Sequence, residues 1–237
     1  CGCYLIESVM TPRTRPVHDI VRCSICPLQV YLARSDPEEF QEPVNYSIAK
    51  QISLHFGDEL KPDEIWDELE TVLSVAGAEE YEQTLAMIDA CQKTVWRPAV
   101  DTDVFVSSQK YGISGKVDRL FDDGFAIVRS SKAPSSGIFA ADRLRLTAYW
   151  LCLYEEHKRS FDCSVEYLGS GTVRNLASPT PADRRAFLAA LHSAESVFQG
   201  EVPRPRQGHH CLSCIFHERC DTVLRPKSLF ERLNLVR

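Results

Sequence analysis

The fold of this chain is decided by residues 111–128, which read YGISGKVDRLFDDGFAIV. The first ten residues have a hairpin-like pattern with glycines between apolar and polar side chains. Asp122-Asp123-Gly124 is a strong turn signal, and Phe125-Ala126-Ile127-Val128 begins an apolar run typical of a buried strand. The segment therefore predicts β-strands joined by a tight turn, the second ending near Lys132.

Working outward from these strands, the sequence predicts helices on both sides. Apolar periodicity and proline or glycine boundaries place helices and further strands as follows: helices from Cys26-Pro27, over about 46–56, from Lys61 to Gly77, over about 78–94, 138–157 and 182–199, and strands near 104–106, 162–168 and 171–176. Residues 1–20 have no clear period. This order predicts an α/β fold with a central mixed sheet and one crossover helix.

Composition excludes several classes of protein. The 237 residues are 44% hydrophobic and 25% charged, which is ordinary for a globular domain. No apolar run approaches the roughly 18–20 residues that a membrane span needs. The net charge of −6 argues against a generally basic nucleic-acid-binding surface, so any DNA binding must be local. The chain starts at Cys1 without a signal-peptide pattern, and we expect it to be part of a longer protein.

Three of the ten cysteines form a compact group, Cys211-x2-Cys214-x5-Cys220. Clustered cysteines in a chain without a signal peptide indicate metal or cluster ligands in a reducing compartment. A tetrahedral zinc site or a cubane iron–sulfur cluster needs four ligands. Cys26, just before a proline at a predicted helix start, is the best candidate for the fourth, and Cys23 is the second.

Two alternatives to an iron–sulfur cluster remain open for these cysteines. Zinc could be held by the three tail cysteines with His209 or His210. The thiols could also be buried and without any ligand. The compact spacing favours the iron–sulfur cluster over both.

A second constellation follows the turn. Asp118 lies on a strand beside glycines, and the next strand ends in Ser130-Ser131-Lys132. Residues two apart in a strand share a face, so Ser130 and Lys132 point the same way. Metal nucleases place an acid–x–Lys pair here, and two carboxylates hold Mg²⁺ or Mn²⁺, which polarises the phosphate and activates a water.

With these motifs the chain resembles the CRISPR-associated Cas-four exonucleases, which are RecB-like PD-(D/E)xK nucleases with an iron–sulfur cap. The resemblance runs from about residue 20 to 221. The segments that carry it are Cys26-Pro27-x3-Tyr31-Leu32, Leu54-His55-Phe56-Gly57, Gly115-Lys116-Val117-Asp118-Arg119-Leu120, Leu144-x-Leu146-x2-Tyr149 and the cysteine tail. Each nuclease motif alone is weak, but their order and combination are specific.

The resemblance implies a PD-(D/E)xK nuclease core with a central mixed sheet flanked by helices, an N-terminal helical region and an iron–sulfur cap joining the two chain ends. It implies His55 and Asp118 as metal ligands, Lys132 as catalytic and Tyr149 as part of the motif helix. Cys26, Cys211, Cys214 and Cys220 would hold the cluster, 4Fe–4S in preference to 2Fe–2S. Mg²⁺ or Mn²⁺ would serve hydrolysis.

Two residues depart from the family pattern. Ser130 stands where the family has an acid, and Arg145 stands where it has glutamine. A hydroxyl is a poor ligand for a hard cation, and Arg145 would repel it. Asp142 shares a helical face with Arg145 and Tyr149 and could supply a relocated carboxylate, but pairing with a nearby arginine is the commoner fate of such a residue.

We expect five regions: an N-terminal extension (1–20), a helical part with the first cluster cysteine (21–100), the nuclease core (101–200), the cap (201–221) and a tail (222–237). The tail contains a short amphipathic segment that either docks on its own domain or contacts a partner or fused domain.

The resemblance implies a cytoplasmic prokaryotic protein of CRISPR adaptation and spacer acquisition. It would trim single-stranded prespacer ends, take part in adjacent-motif selection and act with an integrase complex, while cutting weakly because of Ser130. The alternatives are a nuclease-dead scaffold that binds DNA ends or the integrase, and a nuclease subunit of a recombination-repair helicase.

Overall fold

The computed structural model describes residues 14–35, 42–73 and 76–224, with side chains as far as Cys220. The N-terminal extension before Thr14 and most of the predicted tail, including its amphipathic segment, lie outside the described residues. The chain divides into two compact units. Residues 42–187, with the described residues up to His18, form the first unit; the described residues of 19–41 and 188–237 form the second.

The elements follow in the order that the sequence predicts from Pro27 onward. They are β1 (Arg15–Pro16), α1 (Val17–Ile25), α2 (Pro27–Ser35), α3 (Val44–Leu54), α4 (Pro62–Val72), α5 (Ala78–Cys91), β2 (Asp101–Ser108), β3 (Ile113–Leu120), β4 (Gly124–Arg129), α6 (Ala140–His157), β5 (Asp162–Tyr167), β6 (Thr172–Leu176), α7 (Pro181–Phe198) and α8 (His217–Leu224). Short 3₁₀ turns cover Leu168–Ser170 and His209–Ser213.

The sheet of the first unit is mixed, as predicted. Strand β3 pairs antiparallel with β2 along one edge, and its other edge carries β1 in parallel and β4 antiparallel. β4 and β5 are parallel and are joined by α6, because parallel neighbours need a crossover connection. β5 and β6 form an antiparallel hairpin at the far edge.

Helices flank both faces of this sheet. Adjacent residues of β5 point to opposite faces, since side chains alternate along a strand. Tyr167 donates a hydrogen bond to Asp142 of α6, whereas Glu166 binds Arg119, whose guanidinium lies 4.9 Å from the ring centroid of Phe56. Phe56 belongs to the apolar cluster formed by α3, α4 and α5. The fold is therefore a mixed α/β sheet between two helical layers.

The sequence reading missed α1 and did not identify β1 as a strand. Residues 1–20 had no recognised period, yet Val17, Ile20, Val21 and Cys23 are all buried on one side of α1. Their spacing is the helical one, so the signal was present but short. β1 has two residues and forms only because β3 offers it a partner, which no local pattern can reveal.

The second unit is small and rich in cysteine. Cys26 lies between α1 and α2, where Pro27 begins α2 as a first-turn proline. Leu28, Leu32 and Phe216 are buried together with Cys26, and Cys214 and Cys220 pack against them. The division of the chain thus puts Cys26 in the same unit as the tail cysteines. Among the described residues, the helices are too short or too polar to cross a bilayer.

Candidate functional site

Asp118 lies on β3, is 6% exposed, and uses both carboxylate oxygens within the protein. Its Oδ1 accepts hydrogen bonds from the Lys50 ammonium at 2.9 Å and the Tyr46 hydroxyl at 3.1 Å. Its Oδ2 accepts the Val128 backbone N–H at 2.8 Å. Tyr46 and Lys50 are one turn apart on α3, so a single helical face presents both donors. Both oxygens of Asp118, the predicted metal ligand, therefore already accept hydrogen bonds from protein donors.

Lys50 remains a cation in this arrangement. Its Nζ also contacts Asp103 at 2.5 Å. Burial by itself would lower the pKa of Lys50, but the carboxylates of Asp118 and Asp103 outweigh it and hold the pKa above its ordinary value. Burial and then the charge of Asp118 raise the pKa of Tyr46, which stays a neutral hydrogen-bond donor. Asp118 is thus neutralised by a fixed positive charge.

Arg145 brings a second positive charge to the same site. Burial and then the neighbouring Arg129 lower its pKa, while Tyr149 and Asp118 partly offset this. Its Nε is buried and has no hydrogen-bond partner among the described residues, although the residue as a whole keeps some solvent exposure. The positive charge of Arg145 would repel a divalent cation from this site.

Asp142 does not supply a free carboxylate. It is buried on α6, where it accepts a hydrogen bond from the Arg129 Nε and another from the Tyr167 hydroxyl at 2.9 Å. Asp142 is thus paired with Arg129, which is the commoner outcome for such an aspartate.

The sequence predicted that the strand runs to Lys132, but β4 ends at Arg129, so Ser130 and Lys132 lie in the bend that follows it and not on a shared strand face. Ser130 is partly exposed and Lys132 is exposed. A Cβ on Gly169 would lie 2.5 Å from the Ser130 carbonyl oxygen, so the backbone of this segment packs tightly against the turn at Leu168–Ser170. The backbone of Ser130, the position that the resemblance gives to a second acid, is therefore closely packed, but its side chain offers only a hydroxyl.

Tyr149 is buried on α6 and packs against β3. A Cβ on Gly115 would lie 2.7 Å from the Tyr149 ring, so only glycine permits this approach. The ring also makes an edge contact with Phe125, with centroids 6.5 Å apart. Burial raises the pKa of Tyr149 to about 12. The contacts of the side chain are those of a packing residue, and its proposed catalytic part stays a prediction.

His55 lies at the C-terminal cap of α3 and contacts a carboxylate of α4. Its Nε2 is 2.8 Å from the Glu68 carboxylate on α4, and Gln51 donates to the same oxygen at 2.5 Å. The hydrogen bond from His55 lowers the pKa of Glu68. His55 as a metal ligand stays a prediction, with Glu68 as its present partner.

Taken together, these residues do not suit Mg²⁺ or Mn²⁺. Hard divalent cations need several oxygen ligands, chiefly carboxylates. Here Asp118 accepts hydrogen bonds from protein donors, Ser130 offers only a hydroxyl, and Arg145 adds a positive charge. Among the described residues, no three histidine, cysteine, aspartate or glutamate side chains are gathered so that they could hold a metal ion.

Four cysteines of the second unit line one cavity of about 270 Å³. Its wall includes all four predicted cluster ligands: Cys26, Cys211, Cys214 and Cys220. Cys23 does not line it; Cys23 is fully buried, and desolvation raises the pKa of its thiol to about 12. Cys26 is therefore better placed than Cys23 to be the fourth ligand.

Polar donors already contact two of these sulfurs. Gln29 donates from Nε2 to the Cys214 Sγ at 3.3 Å, and the Arg206 backbone N–H donates to the Cys26 Sγ at 3.5 Å. Such N–H groups stabilise thiolates and tune iron–sulfur clusters.

An iron–sulfur cluster fits this donor set. Four cysteines that line a common cavity match the four thiolate ligands that a cubane cluster needs. His210 also lines the cavity, and its Nε2 is buried without a hydrogen-bond partner among the described residues. That nitrogen keeps the zinc alternative open.

Sequence reasoning missed Tyr46, Lys50 and Arg129. The helix that carries Tyr46 and Lys50 was predicted, and their i, i+4 spacing was visible. Nothing local to that helix indicates which strand residue it faces. The ion pair of Arg119 with Glu166, both nearly fully buried, was missed for the same reason.

The chain matches no protein-family profile and no curated protein sequence. It is similar in structure to a crystal structure from Eubacterium rectale described as a "Putative exonuclease", with a TM-score of 0.57 and 11% sequence identity. The alignment covers 99% of each chain. At this identity the likeness shows the fold alone: the chain has a nuclease-like fold.

Proposed function

We propose that this chain is a DNA-end-binding protein related to the Cas-four exonucleases, with an iron–sulfur cap and a strongly impaired hydrolytic site. The nuclease-like fold supports the choice of DNA as ligand. The observation that carries the proposal is the environment of Asp118, whose two oxygens accept hydrogen bonds from Lys50, Tyr46 and the Val128 N–H. A carboxylate engaged in this way is a poor ligand for a catalytic divalent cation.

The cap in this proposal has a structural purpose. A cluster bound by Cys26 and the three tail cysteines would tie the start of α2 to the end of the chain. The cavity shared by the four cysteines supports this assignment. The cluster would cross-link these two segments of the chain, and the hydrogen bonds from Gln29 and Arg206 would stabilise its thiolates.

The biological setting follows from the resemblance. We propose that the protein acts in the cytoplasm of a prokaryote during spacer acquisition. There it would hold prespacer ends for an integrase complex, bound or fused, and contribute to adjacent-motif selection. Association with a recombination-repair helicase is the competing setting. Purification with an integrase or with a helicase distinguishes them.

A second candidate function is metal-dependent exonuclease activity. It is favoured by the fold and by the position of Asp118 beside β4, the strand that leads to Ser130 and Lys132. Mn²⁺ would then have to displace Lys50 from Asp118 before hydrolysis could occur.

Digestion of a labelled duplex with a single-stranded overhang separates the two functions. The wild-type protein should bind the substrate and, with Mn²⁺, degrade it no faster than in EDTA. The double variant Ser130→Asp/Arg145→Gln restores the family's pattern and should digest at least about tenfold faster, since loss of even indirect metal contacts costs 10–100-fold.

Ser131→Asp is the matched control, because it adds the same charge one residue away at an exposed position. It should leave digestion at the wild-type level. Wild-type digestion as fast as that of the double variant would establish the exonuclease instead.

A further inference from the structure

The positive charges around Asp118 differ in how they are paired. Lys50 binds two carboxylates, those of Asp118 and Asp103. Arg129 binds Asp142. Arg145 alone among these three cations has no carboxylate partner within the described residues, and its Nε is buried without a hydrogen bond. Desolvating a guanidinium without compensation is costly, and native structures rarely leave such a group unpaired.

The surroundings of Arg145 are suited to an anion. Arg129 adds positive potential on one side, and the two tyrosines near it, Tyr46 and Tyr149, are uncharged. Asp118 is already neutralised by Lys50 at 2.9 Å, and Asp142 on the same helix is paired with Arg129, so both carboxylates oppose an incoming anion only weakly. An arriving anion would supply the counter-charge that the protein does not.

Phosphate is the anion that matches the donor. The planar guanidinium presents N–H groups in a fork that binds phosphate oxygens in pairs, and it binds more strongly where water is excluded. Arg145 lies on α6 three residues after Asp142 and four before Tyr149, so the three side chains share one side of the helix.

We propose that Arg145, supported by the potential of Arg129, binds a backbone phosphate of single-stranded DNA directly, without a divalent cation. This inference rests on the proposed DNA-binding function and deepens it, because it names the side chain that would bind the strand. The site would bind a DNA strand without hydrolysing its phosphodiester bonds.

The test measures binding of a fluorescent single-stranded oligonucleotide in EDTA and in Mg²⁺, for the wild type and for Arg145→Gln. We expect wild-type affinity to agree within about twofold between the two conditions. Arg145→Gln should weaken it about tenfold and reduce the salt slope by about one, because one phosphate contact is lost. Arg145→Lys should recover part of the loss, since it keeps the charge but not the fork.

Arg185→Gln is the control, because it removes an equal charge from an exposed position of α7. It should leave affinity within twofold of the wild type. A parallel arm uses inorganic pyrophosphate in EDTA, which should raise the thermal midpoint of the wild type and not that of Arg145→Gln. The midpoint without ligand shows that the variants fold.

Each of the other outcomes would overturn this inference, the proposed function or both. DNA binding that EDTA abolishes, or that Arg145→Gln leaves intact, overturns this inference while the proposed function stands. Absence of DNA binding in both conditions overturns the proposed function and the DNA ligand together; pyrophosphate protection would then identify free phosphate as the ligand, and its absence would overturn the anion site as well.

Discussion

The Asp118 site and the cysteine cavity are opposite kinds of polar site. Around Asp118, protein groups complete one another: both oxygens accept hydrogen bonds, and Lys50 sits between two carboxylates. In the second unit, Cys26, Cys211, Cys214 and Cys220 line a cavity of about 270 Å³, and Gln29 and the Arg206 backbone donate hydrogen bonds to Cys214 and Cys26. The first site consists of protein groups that pair with one another, whereas the second surrounds a space that a ligand could fill.

This difference shows that a residue can occupy a motif position without being able to perform the motif's chemistry. A residue at a motif position performs the motif's chemistry only if its neighbours leave its lone pairs available. Asp118 stands at the position that the resemblance gives to a metal ligand, but its Oδ1 already accepts hydrogen bonds from Lys50 and Tyr46. The four cysteines line a cavity of about 270 Å³, which leaves space for a ligand. We therefore expect the cavity to be the site that depends on an inorganic partner.

The largest effect is expected at the cavity. Cys26→Ala should abolish iron and sulfide binding and lower the free energy of unfolding by roughly 4–5 kcal/mol, because a cluster that joins the two chain ends closes a long loop. The measurements are iron and sulfide content of anaerobically purified protein, visible absorbance and urea unfolding.

Cys23→Ala is the matched control, since Cys23 is buried and does not line the cavity. It should keep its iron. Iron retained in Cys26→Ala and lost in Cys23→Ala would move the fourth ligand to Cys23, and zinc in place of iron would favour the set that includes His210.

At the Asp118 site the main expected effect of substitution is on stability. Asp118→Asn removes a buried negative charge and leaves Lys50 with the exposed Asp103 alone. We expect the free energy of unfolding, measured in EDTA by urea titration, to fall by about 3 kcal/mol. Asp103→Asn, at the 50% exposed partner, should cost less than about 1 kcal/mol. Equal stability of Asp118→Asn and wild type would refute the pairing described for this carboxylate.

A smaller effect is expected where α6 meets β3. Gly115→Ala places a methyl group 2.7 Å from the Tyr149 ring, so either the ring or the strand must move. Overpacking of this kind costs about 1–3 kcal/mol. The measurement is the thermal midpoint, with Gly77→Ala as comparison, because there the nearest atom is the flexible Glu80 carboxylate at 3.1 Å. A shift no larger than that of Gly77→Ala would contradict the packing role of Tyr149.

The smallest effect concerns Asp183 in the first turn of α7. Hydrogen bonds from Arg143, and then from Thr180, lower the pKa of Asp183 from 3.8 to about 2. A lowered pKa means that this stabilisation is fully present above about pH 4 and is lost as the pH falls toward 2.

Asp183→Asn should therefore cost about 1–2 kcal/mol at pH 7, a range that allows for the solvent exposure of Arg143. The difference from wild type should shrink between pH 4 and 2 in urea titrations. A difference that stays constant over that range would show that the charge of Asp183 is not the cause.

Much of the architecture could be predicted from local pattern. The turn at Asp122-Asp123-Gly124 is present, with the Phe121 N–H bonded to the Gly124 carbonyl at 2.8 Å. The crossover α6 and the hairpin of β5 and β6 also follow the prediction. These features depend on periods of two and 3.6 residues, which a chain displays without reference to its tertiary neighbours.

The sequence by itself determined the mixed α/β fold, the candidate position of Asp118, the absence of an acid at Ser130, and the cysteine spacing. Only the tertiary structure decided which charges meet. Lys50 lies 68 residues from Asp118, and Arg129 lies 13 from Asp142. Whether a carboxylate is free or paired depends on groups that packing brings within about 3 Å, and that proximity is a property of the folded sheet and its helices rather than of any segment of the chain.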